Sequence, residues 1–343
     1  MSEKAIGTDR PSVDDGLRRQ ATGGAPDWSA MTADELAAYR DAENRRRASP
    51  DMRAITGHPD PGAAIDWQEV ALPGRDLPVR VHRPTERDSG SGGDGAGRGE
   101  LPLVLHVHGG GFVGTAVQCD WVTSHLAARL PALVVSVEHR LIAPDTPLAA
   151  AVDDGWDVLR HVRENAATWG IDPSRIAVFG ESCGALISAL TAIRAREAGL
   201  RLRAQVLVNP AVDVTATMLD HASVAEHADS PTLTVPQLRL MRRLAVPPGT
   251  DSRALSPLYA DNLGGLPPAL VVVPTRDPLA DHGRRYAERL RAAGTPARLT
   301  EHPEAGHAFL SMPGVVRQAE AARAEIFEFL QDSLAAPHGR TTL

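Results

Sequence analysis

The chain is poor in cysteine: of 343 residues, only Cys119 and Cys183 carry a thiol. Two cysteines make no disulfide framework and no cysteine-based metal site, and they predict a reducing, cytoplasmic setting. Lysine is scarcer still. Lys4 stands alone, so the 36 basic residues are almost all arginine. Arginine forks suit phosphate and carboxylate binding, but here they accompany abundant alanine, glycine and proline and read as the composition of a GC-rich gene. The net charge is −7, and no basic stripe is interleaved with aromatics, which excludes a nucleic-acid partner. Aromatics make up 4% of the chain, so an aromatic-lined pocket has few candidates: Trp28, Tyr39, Phe112 and Trp121. No apolar run approaches the ~18 residues that a bilayer span requires. The first residues carry Glu3, Lys4, Asp9, Arg10, Asp14 and Asp15, with no apolar core of a secretory signal. Neither a metal nor a cofactor is expected.

What is present is an ordinary globular composition, 43% apolar and 23% charged, long enough for a sizeable core. Residues 1–30 are polar and rich in Gly, Asp and Pro, and predict a flexible segment. Thr32-Ala33-Asp34-Glu35 has capping-box spacing and predicts a helix to about Arg47. Trp67–Leu72 and Leu77–His82 predict two strands around the Pro73-Gly74 turn. Residues 85–100 are a glycine-rich stretch without the following Gly-Lys-Ser/Thr of a phosphate loop, and predict a flexible loop.

From there the pattern is regular. Apolar strands are predicted at 103–107, 132–137, 175–179, 203–208 and 269–273, with a further strand at 297–302. Helices are predicted at 151–169, 185–197, 284–293 and 315–334. Strands that are apolar throughout, alternating with helices, indicate a parallel sheet covered on both faces. A polar, mostly helical insertion at 211–255 interrupts the rhythm. With the N-terminal helix it predicts a lid over the strand ends, where ligands bind in such sheets.

The pentapeptide Gly180-Glu181-Ser182-Cys183-Gly184 lies between a predicted strand and a predicted helix. A serine on such a turn is held in a strained backbone position, and the flanking glycines avoid clashes with the neighbouring strand and helix. The helix N-terminus then faces the oxygen where charge develops. An acyl-transfer serine also needs a base, an orienting acid and oxyanion donors. His108-Gly109-Gly110-Gly111-Phe112, directly after a strand, offers backbone N–H donors, and Cys183 N–H is the other. Asp277 and His307 follow two later strands and open on the same sheet edge as Ser182. Asp281 and His302 are their rivals. Asp281 stands where the next helix begins and is expected to cap it; His302 lacks a flanking glycine.

With these residues in place, the chain resembles the hormone-sensitive-lipase family of α/β hydrolases, bacterial esterases with His-Gly-Gly-Gly upstream of a Gly-Asp-Ser-Ala-Gly elbow. The resemblance spans about residues 65–335. It rests on His108–Gly111, His139-Arg140-Leu141-Ile142-Ala143-Pro144, Asp172-Pro173, the elbow, Ser256-Pro257-Leu258, Asp277-Pro278-Leu279 and Gly306-His307-Ala308-Phe309. It implies an α/β-hydrolase fold, with a mostly parallel sheet flanked by helices. The core would comprise 61–210 and 256–337, and a helical cap 31–60 plus 211–255. It implies Ser182 as nucleophile, His307 as general base, Asp277 as the orienting acid, and an oxyanion hole of Gly110, Gly111 and Cys183. Phe112 and Trp121 are the expected substrate-binding aromatics.

The sequence departs from the family where Glu181 replaces Asp, Cys183 replaces Ala, Ala185 replaces a further Gly and His139 replaces Tyr. Ile142 reads as an inserted residue. Cys183 is expected to be a packed small residue rather than a redox switch. The favoured activity is hydrolysis of a small-molecule ester through an acyl-enzyme. A deacetylase or acyltransferase acting on a specialised metabolite keeps the same residues, and a binding protein on a hydrolase scaffold is the reading from another class. The sequence leaves the oligomeric state open, a homodimer included.

Overall fold

Apolar runs from distant parts of the chain pair into one eight-stranded sheet in the computed structural model, which describes residues 26–85 and 100–336. The expected flexible loop at 85–100 falls almost wholly outside the described residues, as does most of the expected flexible segment at 1–30. Residues 26–30 are described and depart from that expectation: Trp28 is buried.

The strands are β1 (Ala63–Leu72), β2 (Arg75–Pro84), β3 (Leu101–Val107), β4 (Leu133–Val137), β5 (Ile171–Glu181), β6 (Ala204–Val208), β7 (Ala269–Arg276) and β8 (Ala297–Gly306). Their order is β1-β2-β4-β3-β5-β6-β7-β8. β3 to β8 are mutually parallel, and β2 is antiparallel to both β1 and β4. The β1–β2 hairpin turns at Gly74, whose φ of +75° suits a residue without Cβ.

The main helices are α1 (Ala33–Ala48), α2 (Asp120–Arg129), α3 (Leu148–Glu164), α4 (Cys183–Glu197), α5 (Val235–Ala245), α6 (Ala280–Ala292) and α7 (Gln318–Leu334). Side chains alternate between the two faces of each strand. Leu103, Leu105 and Val107 of β3 therefore join a cluster with Val158 and Leu159 of α3, Leu186 of α4 and Leu290 of α6. Val104 joins the opposite cluster with Val122 and Leu126 of α2 and Ile326 and Leu330 of α7. Both faces are covered, which is why these strands read as unbroken apolar runs.

The chain goes from β3 to β4 on one side, then returns to β5 on the other side of β3. The crevice beyond the C-terminal ends of β3 and β5 is thus a topological switch point.

Several boundaries differ from expectation. The predicted 151–169 helix is two helices, α3 and a turn at Ala166–Trp169, separated at Asn165 with φ −105° and ψ 31°. The helix predicted from Arg284 begins at Ala280. The 211–255 segment is less helical than predicted, with helical turns only at Ala216–Leu219 and Ala222–Glu226 before α5. It is also more buried, through Val212, Val214, Leu238 and Leu240. Among the described residues, no helix is long and apolar enough to cross a membrane.

Candidate active site

Ser182 sits between β5 and α4 with φ 56° and ψ −117°, a positive φ on a residue that has a Cβ. Such a conformation costs of order 1–3 kcal/mol and persists only where its surroundings enforce it. The enforcement is visible in the glycines. A Cβ at Gly180 would overlap the Gly184 carbonyl, and one at Gly184 would overlap the carbonyls of Val107 and His108. The elbow therefore packs backbone against backbone. Ser182 N donates to Val208 O at 2.9 Å, and Ser182 O accepts from Ala185 N at 3.0 Å, which starts α4.

Asp277 follows β7 and is fully buried. Its Oδ1 accepts the Leu279 N–H at 2.8 Å, a local turn that fixes the carboxylate. Its Oδ2 lies 2.8 Å from His307 Nδ1. Because a carboxylate only accepts, Nδ1 carries the proton and Nε2 is left as an acceptor. Nε2 lies 2.8 Å from Ser182 Oγ, whose hydroxyl donates to it. His307 is held between Gly306 and Ala308, the latter with φ 60°, and the buried Phe309 anchors the next turn.

The rivals are occupied elsewhere. His302 lies 3.5 Å from Glu325 of α7. The expectation that Asp281 caps its helix is not met, because Asp281 lies inside the first turn of α6. Its carboxylate accepts the Ser223 N–H at 3.0 Å and pairs with Arg284 at 3.1 Å.

The glycine loop after β3 turns at Gly110, φ +102°, where a Cβ would overlap the Val113 carbonyl. A Cβ at Gly111 would lie 3.2 Å from both Ile142 Cδ1 and Met241 Cγ. Ile142, read as an insertion, is buried, and its N–H donates to Gly111 O at 2.9 Å. Among the described residues, the N–H groups of Gly110, Gly111 and Cys183 take no part in internal hydrogen bonds. Cys183 opens the fifteen-residue α4, at the positive end of the helix dipole. Its thiol is buried and pushed up to about 12 by that burial, which leaves it inert.

Beneath the loop, the rings of His108 and His139 stack at 4.3 Å. Burial pulls both down to about 4, so they stack as neutral imidazoles.

Sequence reasoning placed a helix at α1 but missed how it docks. Thr32 and Glu35 form the expected capping box. Leu36 is the one fully buried residue of the helix and Tyr39 packs half-buried beside it, while the hydrogen bonds that dock it come from polar residues. Arg40 donates to Phe112 O at 2.8 Å and to Ile142 O at 2.7 Å, Asn44 Oδ1 accepts the Gly114 N–H at 2.8 Å, and Arg47 donates to Gln118 at 3.2 Å. The spacing of four and three residues puts Arg40, Asn44 and Arg47 on one face, and that was the available signal. The Phe112 ring is buried 5.5 Å from Trp28, which meets Tyr39 at 5.1 Å. Trp121 lies elsewhere, packed on the α2–α7 face of the sheet with Arg323 3.7 Å over its ring. The structure does not bring Trp121 to Ser182. A cleft of about 280 Å³ lies between α1 and α5, lined by Met31, Leu36, Pro144, Leu240 and Leu244 among others.

Residues 104–311 match a family described as having the alpha/beta hydrolase fold. The chain is 39% identical over 277 residues to the carboxylesterase NlhH of Mycobacterium tuberculosis, covering 76% of this chain and 80% of that protein. It is 30% identical over 298 residues to an ethyl acetate hydrolase of Pseudomonas putida, covering 85% and 90%. Among solved structures, a hyperthermophilic esterase from the archaeon Pyrobaculum calidifontis superposes with a TM-score of 0.82 at 28% identity, covering 93% of this chain and 97% of that one.

Proposed function

Because this chain belongs to the α/β-hydrolase family and is a carboxylic ester hydrolase, we propose that it cleaves small acyl esters with Ser182, His307 and Asp277 through an acyl-enzyme. The observation that carries this reading is the hydrogen-bond chain from Asp277 Oδ2 to His307 Nδ1 and from His307 Nε2 to Ser182 Oγ, with both links at 2.8 Å. His307 Nε2 takes the serine proton as Oγ attacks the acyl carbon. The negative charge that develops on the carbonyl oxygen is met by the N–H groups of Gly110, Gly111 and Cys183, each such donor contributing about 3–4 kcal/mol to the transition state. The protonated His307 then gives its proton to the departing alcohol. In the second half, His307 draws a proton from water, which attacks the acyl carbon, and Ser182 regains its hydrogen as the acid leaves.

We assign α1 with the 31–60 region and residues 211–255 to a cap, and 61–210 with 256–337 to the core. One contact supports a cap role in substrate selection: Met241 of α5 lies over Gly111, one of the oxyanion residues. Ser182→Ala removes the attacking oxygen and leaves the fold intact, so turnover of p-nitrophenyl acetate and butyrate should vanish. A fluorophosphonate probe should label Ser182 in the wild type only. A variant hydrolysing both esters at near wild-type rates would sink the mechanism.

A further inference from the structure

Glu181 immediately precedes the nucleophile, is the last residue of β5 and is 2% exposed. Its stem runs under the glycine loop: a Cβ at Gly109 would lie 3.6 Å from Glu181 Cγ. Its Oε2 accepts a 2.5 Å hydrogen bond from Ser311 Oγ, 130 residues away in sequence. Ser311 closes the turn Phe309–Ser311 directly after His307 and Ala308. Cys119 Sγ lies 3.8 Å from Ser311 Oγ. Because the serine proton is committed to the carboxylate, the thiol is the donor in that contact. One side chain therefore touches the segment before Ser182, the loop before Gly110 and the turn after His307.

We propose that Glu181 is a positioning residue that braces these three segments against one another through Ser311. The inference rests on the reading of Ser182 and His307 given above. Fold stability alone accounts poorly for this carboxylate. Its second oxygen, Oε1, is buried with no hydrogen-bond partner among the described residues. Burial pushes its pKa up, against the opposing pull of the Ser311 hydrogen bond and the nearby His307. A half-satisfied buried carboxylate costs free energy that an apolar residue of similar volume would not. What the carboxylate does provide is a fixed distance between elbow and histidine loop. That distance matters because a misplacement of about 1 Å between reacting groups can cost about 10²-fold in rate.

The test compares wild type, S311A, E181A, E181Q and the double variant E181A/S311A by kcat and KM for p-nitrophenyl butyrate, by the rate of fluorophosphonate labelling at Ser182, and by thermal melts. S311A and E181A should each lower kcat about tenfold to a hundredfold with KM within about twofold. The double variant should be no worse than the poorer single one, because both remove one contact. E181Q keeps an acceptor oxygen at the same reach and should recover most of what E181A loses. Should E181A fail to fold, S311A and E181Q decide the matter on their own. Wild-type kcat in S311A, multiplying losses in the double variant, or an E181Q no better than E181A would overturn the brace while leaving the triad standing. A wild type that neither hydrolyses the ester nor takes the probe would sink the triad reading and the brace with it.

Discussion

Asp277→Asn is the sharpest perturbation of the site, because it changes one atom and the structure dictates the consequence. Asp277 accepts two hydrogen bonds, from Leu279 N to Oδ1 and from His307 Nδ1 to Oδ2, both at 2.8 Å. An amide has one accepting oxygen and one donating nitrogen. The Leu279 N–H is buried and backbone-fixed, so the asparagine oxygen must face it, and the NH2 then faces His307. Nδ1 must accept, which moves the ring proton to Nε2, the atom that should receive the proton of Ser182. The base is thereby converted into a donor without disturbing the packing. The same exchange in serine-protease triads lowers kcat about 10⁴-fold, or about 5 kcal/mol of activation free energy. We expect a loss of at least 10³-fold in kcat for p-nitrophenyl butyrate, with a melting temperature close to wild type. Asp281→Asn, which alters the neighbouring carboxylate already held by Ser223 and Arg284, should leave kcat within about twofold. A D277N enzyme within tenfold of wild type would refute the tautomer argument and remove Asp277 from its assigned role.

Two further predictions concern the packing of the elbow and the buried histidines. Gly184→Ala would drive a Cβ into the carbonyls of Val107 and His108. Neither can move without shifting β3, so we expect at least about 3 kcal/mol of destabilisation and loss of ester hydrolysis. Gly199→Ala, with φ +72° and nothing within 4 Å, should cost only the ~1–2 kcal/mol of a left-handed backbone. Equal melting temperatures for the two variants would contradict the clash.

The second prediction is acid sensitivity. His108, His139 and His282 are pulled down to about 4 by burial, against about 6.5 in the unfolded chain. The unfolded state therefore binds protons first, so this stability is complete above about pH 6.5 and is lost as the pH falls towards 4. The loss is up to about 3 kcal/mol for each ring. Melting temperatures measured from pH 8 to 4.5 should fall across that window, and His139→Phe should flatten the fall. A profile without slope between pH 7 and 4.5 would contradict the assignment.

Much of the core was legible because its demands are local. A strand buried on both faces must be apolar along its length, and β3 to β7 announce themselves that way. Gly180 and Gly184 are required by carbonyls that meet them at the elbow, and Gly110 by a left-handed turn, so the glycine pattern carries the site's geometry in itself. Asp277 and His307 could be placed because each ends a strand that had already been found. Asp281 lies inside the first turn of α6 rather than at its cap, and the group its carboxylate accepts is the Ser223 N–H, 58 residues upstream; no local pattern encodes that choice.

The same reasoning explains why the supports of the site were hidden. The capping box marks α1 as a helix, but apolar periodicity marks a helix's docking face only where that face is an apolar stripe. α1 docks through Arg40, Asn44 and Arg47 instead, and what it holds is the backbone of Phe112, Ile142 and Gly114. These are the residues that follow the glycine loop or press against it. Glu181 was visible as a departure from the family's aspartate, but its longer reach gains meaning only once Ser311 is brought beside it. Motifs supply the groups that react, and their backbone requirements make them readable. The groups that keep those loops in register lie outside the motifs. Arg40 and Ser311 work across 72 to 130 residues of chain, and each bonds to a backbone carbonyl or a single carboxylate oxygen. Differences among relatives that share the same serine, histidine and aspartate should therefore be sought first in such polar supports.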